Sequence, residues 1–341
     1  MSGSATVEAP SNIAFVKYWG AADLGKAIPL NASISMSLRT CVTRTSVETL
    51  APGVADEIWV CVEGKWCRAE GAFLDRAAAH LERLRRWAGV DVGFRVATEN
   101  SFPSAAGIAS SASGFAALTL SVLAALELHP ATDELSNLAR LSGSGSASRS
   151  VLGGYVQWPQ GGEGDRWRAA SLATASHWDL CDVIAIVQTG AKAVSSLEGH
   201  ALATTSPHFA RRQELIPSRL QQVRDAIEAR DLDQLGPVIE EDAIELHLVA
   251  MSSQPPIFYW LPATLGVLGY VHALRNNGTS AWATTDAGAN VHVICSPDDE
   301  EEVAGGLAAL DGVQAVIRDG VGAGPRRLPG SLLDAVDGTR P

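Results

Sequence analysis

The order of apolar and polar positions along the chain predicts strands first and then strands mixed with helices. Up to about residue 60, Ile13 with Phe15, and Ile34, Met36 and Leu38, repeat with the period of two expected of strands, and residues 29–31 punctuate them. A helix is predicted over 73–87, where Leu74, Ala77, Leu81 and Leu84 share one face and Gly89 ends it. A strand at 92–98 leads into FPSAAGIASSASG at 102–114, which opens a helix reaching about 126. A short helix at 134–141 and a strand at 153–158 follow, with a turn at 161–165. The apolar run in 182–188 predicts a buried strand, and two helices follow at 208–230 and 233–248. The proline pair at 255–256 breaks the chain before a helix ending near 275. Strands at 281–285 and 291–295 flank the turn DAGAN, and Ser296 with Pro297 starts an acidic-led helix. This is an α+β pattern with units at 1–180 and 181–330, and the tail at 331–341 is expected to be loose.

Composition narrows the function classes. A net charge of −12 argues against nonspecific nucleic-acid binding, so any cation beside a ligand must be placed locally. No window approaches the roughly 18 uninterrupted apolar residues of a membrane span. The opening MSGSATVEAP has neither a basic patch nor an apolar core, so no secretory signal is expected. Cys41, Cys61, Cys67, Cys181 and Cys295 lack metal-ligand spacing and fit reduced thiols in a cytoplasm.

Two glycine–serine segments carry the chemistry. In 102–114, Ser110 and Ser111 follow Gly107 just where a helix begins, an arrangement suited to an anion. The competing explanation is a small-residue helix packed tightly in a core. SGSGSASRS at 142–150 is the second segment, and neither is a Walker A loop or a dinucleotide fingerprint. Lys17 ends an apolar strand, Arg149 sits among small neighbours, and Asp286 begins DAGAN. Taken singly these read as a snorkelling lysine, a surface arginine and an Asx-turn former. His247 reads as a packed or capping residue, and DDEEE at 298–302 as a solvated helix start.

Together, NIAFVKYWG, PLNASISMSL, FPSAAGIASSASG, GSGSASRS with GGYVQW, and TTDAGANVHV resemble the mevalonate diphosphate decarboxylase family of the GHMP kinase superfamily, in order from about 8 to 320. The resemblance implies an N-terminal ribosomal-S5-like domain, a C-terminal ferredoxin-like domain and a site between them. It implies ATP-dependent decarboxylation, with Asp286, Lys17 and Arg149 as the catalytic set. Tyr18, Ser144, Ser146, Arg149 and Ser196 match substrate-contacting positions; Gly107, Ala109, Ser110, Ser111 and Lys192 match ATP-binding positions. Magnesium is implied by ATP, although no carboxylate cluster announces its ligands. A homodimer is expected from the resemblance. Superfamily members that only phosphorylate depart from the Asp/Lys/Arg set, which this chain retains, and a non-catalytic binder would be expected to lose Asp286.

The substrate's 5-position is where the chain departs from the pattern. Diphosphate-specific members carry KYWGK, and Ala21 stands at that lysine; many carry a cation after the VSS serines, and Leu197 stands there. Each lost charge-assisted contact costs about 1.5–3 kcal/mol. These absences favour mevalonate 5-phosphate as substrate and isopentenyl phosphate as product, ahead of mevalonate 5-diphosphate giving isopentenyl diphosphate. Lys26 is the nearest cation in sequence that could compensate.

Overall fold

The structure is a computed structural model that describes residues 3–103, 108, 110–160, 167–190 and 193–338. The first half is built around two long strands, β1 (Ser4–Val16) and β4 (Ser33–Thr49), which pair antiparallel after a small hairpin, β2 (Ala21–Asp23) with β3 (Ile28–Pro29). The alternation read in 13–15 and 34–38 belongs to these strands, whose faces are both covered. Next come β5 (Glu57–Val62), β6 (Lys65–Arg68), α1 (Gly71–Ala88) and β7 (Phe94–Asn100). Then follow α2 (Ser110–Ala125), α3 (Thr132–Arg140), α4 (Ala147–Ser150), β8 (Tyr155–Gln160) and β9 (Arg168–Ala173). β4 serves two neighbours: Ser33–Met36 pair with β8, and Thr43–Thr49 pair with β7. α2 is apolar nearly all round, as a fully enclosed helix must be, and its alanines and serines let it press onto β1 and β4.

The second half contains β10 (Cys181–Ile186), α5 (Ser196–Leu202), α6 (Phe209–Ala229), α7 (Leu232–Met251) and α8 (Pro262–Asn276). It continues with β11 (Ala281–Thr284), β12 (Val291–Cys295), α9 (Glu300–Ala308) and β13 (Ala315–Gly320). These strands form an antiparallel sheet in the order β11-β12-β10-β13. Every residue of β10 and β12 is buried because the sheet is covered on both faces. α8 and α9 pack on one face; on the other, one core joins Ile184 and Ile294 to Ile216, Leu235, Ile13 and Met36, so α6 and α7 lie between the two sheets.

Three expectations need correction. The chain after β13 returns to the first sheet, where β14 (Arg326–Leu328) pairs with β1, so 181–330 does not stay within one sheet. The segment after Gly330 is not loose throughout: α10 (Leu333–Asp337) packs Leu333 and Val336 against Ala97, and Asp337 pairs with Arg95. The helix expected from Ser296 starts instead at Glu300, after a turn.

Candidate active site

Lys17 is the first residue past β1, and both sides of the backbone there are tied down. Its N–H donates to Asp242 Oδ2 at 2.8 Å, and its carbonyl accepts from Asn31 Nδ2 at 2.9 Å. Asp242 is wholly buried on α7 and paired with the buried Arg212 of α6 at 3.0 Å. The Lys17 side chain is therefore not a snorkelling edge residue. It is 2 % exposed, and Nζ donates to the Ala14 carbonyl at 2.6 Å and to Asp286 Oδ1 at 2.8 Å.

Asp286 follows β11 on the tight turn to β12. Asn290, at the other end of DAGAN, accepts the N–H groups of Val187 and Gln188 at 2.7 and 2.9 Å and so pins the turn to the end of β10. His247, packed on Trp260, lies 3.2 Å from the Asp286 carbonyl. The Asp286 carboxylate keeps about a quarter of its surface open, at 26 %. Burial alone would raise its pKa, but the charge and hydrogen bond of Lys17, with lesser contributions from His292 and Arg149, hold it below the ordinary carboxylate value. An ionised carboxylate facing a cleft is the result.

Arg149, on α4, is not a surface arginine either. It is 3 % exposed, its Nε and one terminal nitrogen donate to Asn12 Oδ1 at 3.2 and 3.0 Å, and the other donates to Ser33 Oγ at 2.5 Å. All these acceptors are neutral, and no carboxylate pairs with it among the described residues. Burial pulls its pKa down to about 10, so it stays charged at neutral pH. A buried cation with no carboxylate bonded to it is costly unless an anion completes the site.

Lys17, Tyr18, Ser144, Ser146, Arg149, Ser196 and Asp286, the described residues expected at the substrate, all line one cleft of about 510 Å³. Gly145 lets this wall close up, since a Cβ there would fall 2.7 Å from the Tyr18 ring and 2.6 Å from Trp158. Ser110 and Ser111 open onto the same cleft at the start of α2, while the body of that helix is packed on β1 and β4. The two readings of this stretch thus describe its two ends. Gly107, Ala109 and Lys192 lie outside the described residues. An adjoining, largely apolar cavity of about 300 Å³ between α1, α2 and β5 shares Arg76, Ser110 and Ser111 with the cleft.

Leu197 lines the cleft and Ala21 does not. Lys26, the nearest cation in sequence, does not line the cleft; it lines a separate cavity with Arg83 and Arg86. Sequence reasoning missed Asn12, Asp242 and Arg76. Asp242 had a legible signal: it falls on the apolar stripe of Leu235, Ile239 and Leu246, where a carboxylate needs a partner.

Two family descriptions match the chain, "Diphosphomevalonate decarboxylase-like N-terminal domain" over residues 9–172 and "Mevalonate 5-diphosphate decarboxylase C-terminal domain" over 182–316. Diphosphomevalonate decarboxylase of Debaryomyces hansenii is 34% identical over 320 residues, covering 89% of this chain and 82% of its own length. The crystal structure of mevalonate diphosphate decarboxylase from Staphylococcus aureus superimposes with a TM-score of 0.89 at 31% identity, covering 96% of this chain and 98% of that one. MDDEF in complex with MVAPP, AMPPCP and magnesium superimposes with a TM-score of 0.88 at 31% identity, covering 96% and 99%. With an α+β fold of the same two parts and the expected side chains gathered in one cleft, the chain belongs to the diphosphomevalonate decarboxylase family.

Proposed function

We propose that this protein decarboxylates mevalonate 5-diphosphate in an ATP-dependent reaction. One observation carries the reading: the buried Lys17 paired with Asp286, and a buried Arg149 with no carboxylate bonded to it among the described residues, face the same cleft as the serines that start α2. The names of the relatives support the diphosphate as substrate.

ATP supplies the phosphoryl group that turns the C3 hydroxyl of the substrate into a leaving group, and magnesium screens its phosphates. The residues present fit both. The start of α2 offers the N–H groups of its first turn and the Ser110 and Ser111 hydroxyls to phosphates, Arg76 stands beside them, and the apolar cavity behind suits a base. No cluster of three carboxylate, histidine or cysteine side chains exists among the described residues, so magnesium would be held largely through the phosphates.

The chain's own residues divide the remaining work. Asp286, kept ionised by Lys17, accepts the hydrogen bond of the C3 hydroxyl and takes its proton as that oxygen becomes phosphorylated. Because its pKa is low, orientation of that oxygen matters more than basicity. Lys17 stays fixed between Ala14 and Asp286, where its charge offsets negative charge building on the reacting oxygen. Arg149 takes the carboxylate that leaves as CO2, and Asn12 and Ser33 aim its guanidinium.

Mevalonate 5-phosphate remains a second reading because Leu197 puts an apolar side chain, and no charge, into the cleft. The test is kcat/KM for the two substrates at saturating magnesium-ATP. A preference for the diphosphate supports the proposal, and a tenfold preference for the monophosphate replaces it with the second reading.

A further inference from the structure

His200 lies near the end of α5, whose start is fixed by a capping box of Ser195 and Glu198. The preceding Gly199 admits Trp19 closely, since a Cβ there would fall 2.4 Å from its ring. The His200 ring is thereby set 4.2 Å from the Tyr18 ring and 4.8 Å from the Trp19 ring, centroid to centroid. The backbone N–H of Gly20 donates to His200 Nδ1 at 3.0 Å. A backbone N–H can only donate, so Nδ1 carries no proton, and the neutral ring must hold its proton on Nε2. Burial lowers the imidazole pKa to about 3, which keeps it in that neutral form. Nε2 has no partner among the described residues, yet it is not one of the buried polar atoms sealed from solvent. The Tyr18 hydroxyl is in the same position, and both residues line the cleft.

The location of this donor pair separates it from the nucleotide. Ser110, Ser111 and Arg76 line both the cleft and the apolar cavity behind it, whereas Tyr18 and His200 line the cleft alone. A substrate whose C3 hydroxyl meets Asp286 and whose carboxylate meets Arg149 has only its 5-phosphoryl arm left to satisfy other donors. Resting on the proposed decarboxylase function, we propose that His200 is a specificity-determining residue whose Nε2–H, beside the Tyr18 hydroxyl, hydrogen-bonds the 5-phosphoryl group of the substrate. This part of the cleft then recognises the phosphoryl oxygens through neutral donors, where Leu197 offers no charge.

The test is calorimetric binding of mevalonate 5-diphosphate, mevalonate 5-phosphate, mevalonate and magnesium-AMPPCP to the wild type, His200→Asn and His200→Gln. Asparagine retains an acceptor near the Gly20 N–H and withdraws the donor at the Nε2 position, which glutamine supplies. The expected result is a loss of about tenfold or more for both 5-phosphorylated ligands in His200→Asn. Mevalonate and AMPPCP should stay within about twofold, and His200→Gln should bind the phosphorylated ligands more tightly than His200→Asn. Equal weakening of mevalonate, a loss confined to AMPPCP, indistinguishable variants, or no phosphorylated ligand bound by the wild type would each overturn the assignment. Binding that depends on His200 without CO2 release would sink the decarboxylase reading alone. Normal turnover with unchanged binding in His200→Asn would sink the His200 proposal alone.

Discussion

Replacing Arg149 with methionine should leave the fold nearly as stable as before and remove most of the activity. Burial brings the guanidinium from the ordinary arginine value to about 10, a burden on the charged form on the order of 3 kcal/mol. Arg149→Met lifts that burden and fills much of the same volume. It also strands Asn12 Oδ1, which accepts from two Arg149 nitrogens, and deprives Ser33 Oγ of a donor. Each stranded buried group costs about 1–3 kcal/mol, so the opposing effects largely cancel and stability should change by no more than about 3 kcal/mol. Activity has no such compensation. A bidentate charge-assisted contact is worth roughly 1.5–3 kcal/mol, and misplacement of the substrate costs up to about a further 10²-fold, so kcat/KM should fall about 10²- to 10⁴-fold. The assay couples ADP release to a spectrophotometric readout and runs thermal melts on the same samples. Substrate should raise the melting temperature of the wild type and leave that of the variant unmoved. A variant within tenfold of wild-type kcat/KM, or one that melts more than about 10 °C lower, would refute the reasoning.

Asp286→Asn should fold, bind AMPPCP normally and lose about two to four orders of magnitude in kcat, which single-turnover kinetics would measure. Asp242→Asn should destabilise by about 3–5 kcal/mol in urea unfolding, because Arg212 becomes a buried cation facing a neutral amide. Lys17→Met removes the largest of the influences that hold Asp286 below the ordinary carboxylate value, leaving burial opposed by the lesser effects of His292 and Arg149. A carboxylate with a lowered folded-state pKa contributes stability above its unfolded value, and that contribution is lost as pH falls through the folded value. The acid limb of the residual kcat should move to higher pH, and an unmoved limb would show that Lys17 does not set the ionisation of Asp286.

The sequence carries the long elements well, because their periodicity reflects a face they must bury. α1, α6 and α7 stand within a few residues of the expected ranges, and β12 stands at 291–295 as read. Short elements held by tertiary contacts are less visible: β6 has two of its four residues charged, and β14 takes its strand form from pairing with β1. α5 was legible and missed, since Ser195 and Glu198 stand at capping-box spacing. For the site, residue types suggested a phosphate loop, but only the resemblance singled out Lys17, Arg149 and Asp286. Their separate identities gave no hint that 269 positions of chain close to a 2.8 Å contact. The anchoring of Lys17 by Asp242 and Asn31, and of Arg149 by Asn12, depends on tertiary packing that pattern alone does not encode.

The most direct test of the account is the stoichiometry of ADP and CO2 released from mevalonate 5-diphosphate and magnesium-ATP by the purified protein. The account predicts one CO2 for each ADP, with both falling together in Asp286→Asn. ADP release without CO2 would contradict it and leave a kinase in its place.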